Sequence, residues 1–275
     1  MTYICPICAG NLSLAQTSWQ CPKGHQFDRA KEGYVNLLPV QKKKSKDPGD
    51  NKAMMMARRE FLNQGFYQKL SDRVNDFALD KVKGLSDLAV LDIGCGEGYY
   101  SQRLYQHLGS AHEQIDLFGL DISKSAIRYA AKRYAHLNFS VASVFEMPYA
   151  DKSFDLAIRI YAPSKPQELH RVMKDEGYLV TVSPGPKHHY ALKQVIYDYP
   201  KLHSNEALQI DGFEHIHQEC LSYDIELKDK KDIDNFLNMT PYAWKLSDYQ
   251  KQKLSEQDFK CELDFKIEIY RKKSL

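Results

Sequence analysis

Apolar and polar positions alternate regularly along the chain after residue 85. Short apolar runs have the length of buried strands, and the segments between them repeat apolar residues every three or four positions, as amphipathic helices do. This alternation predicts a parallel sheet with helices on both faces. The predicted strands are residues 89–93, 117–121, 137–142, 154–160 and 178–183, and the predicted helices are 99–108, 124–134 and 166–173.

The two ends of the chain have other patterns. Residues 54–62 and 67–81 have helical spacing. Residues 213–227 and 261–270 resemble strands that flank a helix at 231–239, which predicts a late antiparallel pair at the sheet edge. Residues 41–50 are polar, cationic and rich in turn residues, which is typical of a linker or mobile loop.

Composition permits a substantial core, because 43% of the 275 residues are hydrophobic and 27% are charged. The net charge is only +2, but residues 1–60 hold ten Lys and Arg against five Asp and Glu. The positive charge is therefore concentrated in the first 60 residues. The remaining residues carry a net negative charge, which disfavours a DNA-binding zinc protein. No secretory leader or membrane-spanning run is visible, so we expect a soluble cytoplasmic protein without a membrane partner.

Three cysteines and a histidine near the N-terminus have the spacing of a zinc site. Cys5, Cys8, Cys21 and His25 form the pattern C-x2-C-x12-C-x3-H, and a proline and a glycine accompany each pair. Two such pairs on tight turns supply the four tetrahedral ligands that zinc requires. Because the protein fills all four positions, we predict one structural Zn²⁺ that supplies much of the folding energy of this segment.

The role of this zinc module is open from its residues alone. One interpretation is a rigid cap docked on the main domain. The other is an RNA-contacting surface, since aromatic and cationic side chains are interspersed as such surfaces require. The residues in question are Trp19, Lys23, Phe27, Arg29, Lys31 and Tyr34.

A glycine-rich loop follows the first strand of the alternating region. Gly94, Gly96 and Gly98 are separated by single residues and lead directly into a helix. Glycines let a backbone approach a ligand, and a helix N-terminus offers free N–H donors. Tyr99 stands where a dinucleotide site has its last glycine, and Glu97 would repel a pyrophosphate, so the loop favours S-adenosylmethionine over NAD.

Residues after the next two strands complete the predicted donor site. Asp121 ends a strand, where a carboxylate accepts hydrogen bonds from both ribose hydroxyls; the alternative is an acid at a helix N-terminus before Ser123. The adenine is predicted to lie across the turn at Ser143 and Val144. Many methyltransferases have an aspartate at the position of Ser143, so adenine contact here relies on backbone groups and apolar side chains.

The methyl acceptor is expected beyond the fourth and fifth strands, where ligands of such sheets bind. Tyr161 is a candidate for stacking on a flat acceptor, and Arg159 for orienting it, although both also fit a packing role. His188 is a candidate for closing over the methionine end or accepting a proton, and a surface histidine is the alternative.

The chain closely resembles the bacterial 23S rRNA (guanine-N1) methyltransferases. The resemblance spans nearly the whole chain, and the segments at 31–39 and 47–50 are specific to that family, whereas the glycine loop is shared by many methyltransferases. The motifs that carry it are the two Cys-Pro knuckles and residues 30–40, 47–50, 91–100 and 159–163.

The resemblance implies methyl transfer from S-adenosylmethionine to N1 of a guanine in a hairpin loop of 23S rRNA. It implies a Rossmann-like class I methyltransferase domain, zinc on the four N-terminal ligands, and a homodimer that frames a cleft for RNA. It also implies methyl-donor contacts by Tyr67, Gly96, Glu97 and His188. We therefore predict that the chain is divided into a zinc-binding module at 1–38, a basic linker and helix at 39–65, and the methyltransferase domain at 66–275.

Two other functions remain open from the residues. A small-molecule methyltransferase with a structural zinc module would act without RNA, and a zinc-ribbon adaptor would not bind the methyl donor. In the RNA enzyme, lysines at 42–46 together with Arg58 and Arg59 are predicted to hold the RNA backbone. His188 is the hypothetical proton acceptor, and Tyr161, Tyr190 and Trp244 are candidates for stacking on the base.

Overall fold

The structure is a computed structural model that describes residues 3–42 and 52–274. The predicted linker lysines at 43, 44 and 46 and the family-specific segment 47–50 lie outside the described residues. The N-terminal module contains a small antiparallel sheet of β1 (Ser13–Ala15), β2 (Ser18–Gln20) and β3 (Gln26–Asp28).

An eight-stranded sheet forms the main domain, with the order β10-β11-β9-β8-β5-β6-β7-β4. Neighbouring strands are parallel except at β11, which is antiparallel to both β9 and β10. The predicted late antiparallel pair at the sheet edge is therefore confirmed. The strands are β4 (Val35–Asn36), β5 (Asp87–Ile93), β6 (Gln114–Asp121), β7 (Asn138–Val141), β8 (Phe154–Ile160), β9 (Met173–Pro184), β10 (Phe213–Leu227) and β11 (Phe259–Lys272).

Helices cover both faces of this sheet, as the alternating pattern predicted. Along β5, Val90 packs into the core on one face and Leu91 into the core on the other, because side chains of a strand alternate. The helices are α1 (Lys52–Asn63), α2 (Gln68–Val82), α3 (Tyr99–Leu108), α4 (Lys124–Arg133), α5 (Pro166–Val172), α6 (Tyr190–Ile196), α7 (Lys230–Met239) and α8 (Asp248–Ser255), with 3-10 turns at Val40–Lys42 and Pro241–Trp244.

The strand order reverses at β5, which lies between β6 and β8. Chain connections leave β5 in opposite directions at this point, so a crevice opens beyond the carboxyl ends of the strands. This is the edge of the sheet where the predicted glycine loop and Asp121 are located. In the described part of the chain, no helix combines the length and the apolar character that a membrane span requires.

The zinc module is docked on the main domain by a buried tyrosine. The ring of Tyr3 lies 5.1 Å from that of Trp19, 5.7 Å from Phe118 and 5.6 Å from Tyr149, measured between centroids. The backbone N–H of Ile4 donates to the carbonyl of Pro148 at 2.9 Å. These contacts support the interpretation of the module as a rigid cap, and RNA contact by its surface stays a prediction.

A second connection follows the module. β4 pairs in parallel with β7 at the edge of the main sheet, and the N–H of Leu37 donates to the carbonyl of Val141 at 2.9 Å. The end of the predicted module is thus part of the main sheet, although the boundaries at residues 38 and 65 remain predictions.

Candidate active site and zinc centre

The four predicted zinc ligands converge. The Nδ1 atom of His25 lies 3.5 Å from Sγ of Cys5 and 3.4 Å from Sγ of Cys21, and the sulfurs of Cys8 and Cys21 are 3.6 Å apart. All four ligand atoms lie within 4.8 Å of one another. Zinc–sulfur bonds of about 2.3 Å and zinc–nitrogen bonds of about 2.0 Å place tetrahedral ligands at about these separations, so the residues fit one Zn²⁺.

A cavity of about 620 Å³ opens at the carboxyl ends of the strands. Its size falls within the range of about 300–1,000 Å³ typical of ligand pockets. The loops after β5, β6, β7, β8 and β9 form its floor, and α1 together with the chain after α7 forms the opposite wall. Most of the predicted site residues line it: Tyr67, Gly94, Gly96, Glu97, Asp121, Ser143, Val144, Tyr161 and His188.

Two glycines give the loop after β5 its shape. Gly94 has a φ of +74°, and a Cβ at this position would lie 2.5 Å from the Cβ of Ala162. Gly96 has a φ of +55°, but a Cβ there would meet no atom within 4 Å. Gly94 is thus required by close packing, whereas Gly96 leaves open a space that a ligand can occupy.

Asp121 is fixed at the end of β6 by the backbone around it. One carboxylate oxygen accepts from the N–H of Gly96 at 3.1 Å, and the other accepts from the N–H of Ser123 at 2.8 Å. The carboxylate therefore connects the glycine loop to the start of α4. Asp121 also lines the cavity, which its predicted contact with the ribose hydroxyls requires.

Asp92 supports the same loop from inside the sheet. It is buried and accepts a hydrogen bond from the Ser101 hydroxyl at 2.6 Å. Burial raises the pKa of Asp92 to about 7, and the charge of Asp121 adds to this rise. The hydrogen bond from Ser101 acts in the opposite direction and lowers the pKa. Asp92 therefore joins β5 to α3 and positions the loop between them.

Glu97 meets a requirement of the methyl donor. Both of its carboxylate oxygens are buried and have no hydrogen-bond partner among the described residues. Burial raises the pKa of Glu97, and the positive charges of Arg59 and Arg133 oppose that rise. Buried acceptors without donors are costly, so this carboxylate suits a ligand that brings N–H donors, such as the ammonium group of S-adenosylmethionine.

The predicted adenine contact lies at a turn after β7. Ser143 Oγ accepts from the N–H of Phe145 at 3.2 Å, so this hydroxyl stabilises the turn. Val144, Phe145 and Ile122 line the cavity here with apolar surface. This arrangement agrees with the expectation that adenine contact relies on backbone groups and apolar side chains.

Two tyrosine–histidine pairs line the acceptor side. Nε2 of His188 lies 3.2 Å from the Tyr161 hydroxyl, and Nε2 of His189 lies 3.1 Å from the Tyr67 hydroxyl. The two imidazoles stack, with centroids 3.8 Å apart and an interplanar angle of 27°. Tyr67 therefore lines the cavity, held there by a histidine that the sequence analysis did not single out, and its contact with the methyl donor stays a prediction.

The tautomer of His188 follows from its partners. Its Nδ1 accepts from the backbone N–H of Asp264 at 3.2 Å. In the neutral ring Nε2 must then carry the hydrogen and donate it to the Tyr161 hydroxyl. His188 is consequently a hydrogen-bond donor toward the cavity, which disfavours the hypothesis that it accepts a proton from the substrate.

Acidification is expected to destabilise the protein through His188. Burial lowers its pKa to about 3, whereas the ordinary value is 6.5. Between these two values the unfolded chain binds a proton that the folded chain does not. The free energy of unfolding therefore decreases by about 1.4 kcal/mol for each unit by which the pH is lowered. Thermal denaturation from about pH 7.5 to about pH 4.5 checks this: the melting temperature of His188→Gln should fall less steeply than that of wild type. Equal slopes would contradict the assignment.

Four of the predicted donor- and acceptor-site residues do not line the cavity: Gly98, Arg159, Tyr190 and Trp244. Gly98 is the N-terminal cap residue of α3. Arg159 donates from Nη1 to the Ser164 hydroxyl at 2.6 Å, and burial lowers its pKa. Side chains alternate along a strand, and Ile158 already faces the core that contains Tyr67, so Arg159 points to the other face.

The sequence missed residues that come from distant segments. His203, Met239, Thr240 and Tyr242 line the cavity, although they lie outside the strand–loop–helix units. Arg58 and Arg59, predicted to hold RNA, also line it, because α1 packs over the cavity and against α7. The adjacent histidines at 188 and 189 were the one feature of the local sequence that could have indicated this part of the cavity lining.

Known proteins match both parts of the chain. A zinc-ribbon family model described as "RlmA, N-terminal" matches residues 3–46, and a methyltransferase-domain model matches residues 85–254. A solved Galdieria sulphuraria structure, described as that of a "putative sarcosine dimethylglycine methyltransferase", has a TM-score of 0.50 at 14% identity, covering 76% of this chain and 88% of that one. At this identity the similarity shows the fold alone.

Curated relatives extend the match over most of the chain. The Bacillus subtilis protein named "Putative 23S rRNA (guanine-N(1)-)-methyltransferase YxjB" is 31% identical over 250 residues, which are 87% of this chain and 86% of that protein. The Streptomyces fradiae "23S rRNA (guanine(748)-N(1))-methyltransferase" is 33% identical over 185 residues, covering 67% of this chain and 64% of that protein. With its zinc ribbon, its methyltransferase domain and these relatives, the chain belongs to the family of S-adenosylmethionine-dependent 23S rRNA (guanine-N1) methyltransferases.

Proposed function

We propose that this enzyme transfers a methyl group from S-adenosylmethionine to N1 of a guanine in a hairpin loop of 23S rRNA. The observation that carries the proposal is the single cavity in which the donor-binding loop and the Tyr161–His188 pair face the same space. The family relationship supplies the acceptor, since the relatives are named for guanine N1 of 23S rRNA. S-adenosylmethionine, when bound, supplies an electrophilic methyl carbon.

The donor site assigns a role to each end of the cavity. Asp121 accepts hydrogen bonds from the ribose, and Val144 packs against the adenine. Glu97 accepts from the ammonium group. Arg58 and Arg59 of α1 line the same cavity, where they attract the carboxylate of the methionine part. Because these groups hold both ends of the donor, its methyl group is directed toward the acceptor side.

Tyr161 is the side chain that meets the guanine. It is 43% exposed although it lies at the cavity, so its ring has a free face for stacking. Its φ of +56° is unusual for a tyrosine, and the hydrogen bond from His188 fixes the ring in this position. Alignment of N1 with the methyl carbon and exclusion of water are then the main contributions to catalysis.

A loop guanine suits this geometry better than a paired one. In a duplex N1 faces its pairing partner, so the base has to leave the stack before it enters a cavity, and an unpaired base does so at lower cost. As the bond between N1 and the methyl carbon forms, the bond from that carbon to the sulfonium sulfur breaks and S-adenosylhomocysteine is left, while N1 gives its proton to water. The family resemblance further suggests a homodimer that acts in the cytoplasm.

Primer extension on protein-free 23S rRNA tests the proposal. After incubation with enzyme and S-adenosylmethionine, we expect a new reverse-transcriptase stop one nucleotide before a hairpin-loop guanine, because a methyl group on N1 blocks base pairing. Reactions without S-adenosylmethionine are the control and should show no such stop. If the enzyme binds S-adenosylhomocysteine but produces no stop, protein-free rRNA is not its substrate. If no stop appears on ribosome assembly intermediates either, the proposal is refuted.

A further inference from the structure

Exposed aromatic rings lie on two neighbouring segments that also contribute residues to the cavity lining. Tyr199, in the segment after α6, is 90% exposed. Trp244 and Tyr249, at the turn before α8 and in its first residues, are each 73% exposed. We name this surface, with Tyr197 and Lys245, the aromatic rim. Large exposed aromatic side chains are unfavourable in water, and several of them on neighbouring segments are typical of an interaction surface.

Both segments lead from the cavity to the surface. In the 3-10 turn Pro241–Trp244, Tyr242 lines the cavity and Trp244 is exposed. In the segment after α6, His203 lines the cavity and Tyr199 is exposed. On both segments, therefore, the chain passes from the cavity lining to an exposed aromatic ring within a few residues.

Hydrogen bonds hold the two segments together. The Lys245 ammonium donates to the Tyr197 hydroxyl at 2.7 Å and lies 5.1 Å from the centroid of that ring. The side-chain amide of Gln250 donates to the carbonyl of Val195 at 2.9 Å. The aromatic rim is thus one surface built from α6, α8 and the turns beside them.

The charge around the aromatic rim favours an anionic partner. Residues 187–203 and 241–253 contain six lysines and two aspartates, whereas the whole chain has a net charge of only +2. Aromatic rings among lysines are the combination that binds single-stranded nucleic acid, because rings stack on bases and ammonium groups attract phosphates. A duplex buries its base faces and cannot use these rings.

We infer that the aromatic rim binds unpaired nucleotides next to the target guanine, with bases stacked on Trp244, Tyr249 and Tyr199. This inference rests on the proposed function, since it takes RNA as the substrate. It adds the location at which the enzyme holds the rest of the loop while one base occupies the cavity. Recognition then requires an opened loop, not only a reachable guanine.

Tryptophan fluorescence gives a direct test. The chain contains two tryptophans, and Trp19→Phe leaves Trp244 as the only one while keeping an aromatic ring beside Tyr3. Titration of this variant with protein-free 23S rRNA should quench its fluorescence, because bases stack on the indole. In the methylation assay, Trp244→Ala and Tyr249→Ala should each raise the half-saturating rRNA concentration about tenfold and leave S-adenosylhomocysteine binding unchanged.

A matched control is available on the other side of the sheet. Leu85 is also exposed but precedes β5, at the edge opposite the cavity, so Leu85→Ala should behave as wild type in every assay. The inference would be overturned if rRNA does not quench the fluorescence and both aromatic variants keep the wild-type half-saturating rRNA concentration. Methylation by the wild-type enzyme would still support the proposed function in that case. Quenching by rRNA without methylation would support the aromatic rim as an RNA-binding surface and contradict the proposed function. A wild-type enzyme that neither binds nor methylates 23S rRNA would overturn both the inference and the proposed function.

Discussion

Replacement of Asp121 by alanine is expected to weaken S-adenosylhomocysteine binding by about 100-fold or more. Each hydrogen bond from a ribose hydroxyl to this carboxylate is worth about 1.5 kcal/mol or more, because the acceptor is charged, and two are lost together. The variant also loses the two bonds from Gly96 and Ser123 that shape the loop before any ligand binds. Isothermal titration calorimetry measures the effect, and methylation should fall in parallel.

Asp116→Asn is the matched control, since Asp116 is an exposed carboxylate on the same strand, β6. It should bind S-adenosylhomocysteine as wild type does. Melting temperatures of both variants distinguish loss of a contact from loss of the fold. If Asp121→Ala, still folded, binds S-adenosylhomocysteine within threefold of wild type, the assignment of the ribose site is wrong.

Removal of zinc is expected to weaken S-adenosylhomocysteine binding as well, although the metal lies in another module. Zinc ligation supplies about 10–16 kcal/mol of apparent free energy in small zinc domains, so a ribbon without it unfolds. Tyr3 and Ile4 then no longer hold Pro148 and Tyr149, which follow directly on the adenine turn. A Cys5→Ser/Cys21→Ser variant should contain no zinc, melt at a lower temperature and bind S-adenosylhomocysteine at least tenfold more weakly.

The control for this variant is Cys220→Ser, because Cys220 is an exposed cysteine on β10, away from the zinc ligands. It should retain one zinc per chain by elemental analysis and normal binding. A zinc-free protein with full affinity for S-adenosylhomocysteine would show that the adenine turn is stable without the module.

The central sheet could be predicted because its signals are local. The strand at Phe154–Ile160 and the helix at Tyr99–Leu108 have the predicted bounds, since an apolar run between turn residues identifies each. The strands of the zinc module are three residues long, and β1 is exposed throughout, so no apolar pattern marks them. The helices α6 and α8 were likewise not predicted; each has only two buried residues.

The same distinction holds for the site. Gly96 and Asp121 were found because each lies at a strand–helix junction, whose role can be inferred from a few neighbouring residues. Tyr242 and His203 reach the cavity only through the packing of distant segments, which no short pattern encodes. Arg159 was placed by its closeness in sequence to Tyr161, but strand alternation turns it to the opposite face.

The position of β11 has a consequence for synthesis of the protein. β10 is made before β11, yet among the described residues it pairs only with β11, which separates it from β9. Until β11 has left the ribosome, the edge of β9 is therefore unpaired and the fifteen residues of β10 have no strand to join. Nascent chains at this stage present an open edge of β9 and an unpaired β10, which makes them prone to aggregation and suited to chaperone capture.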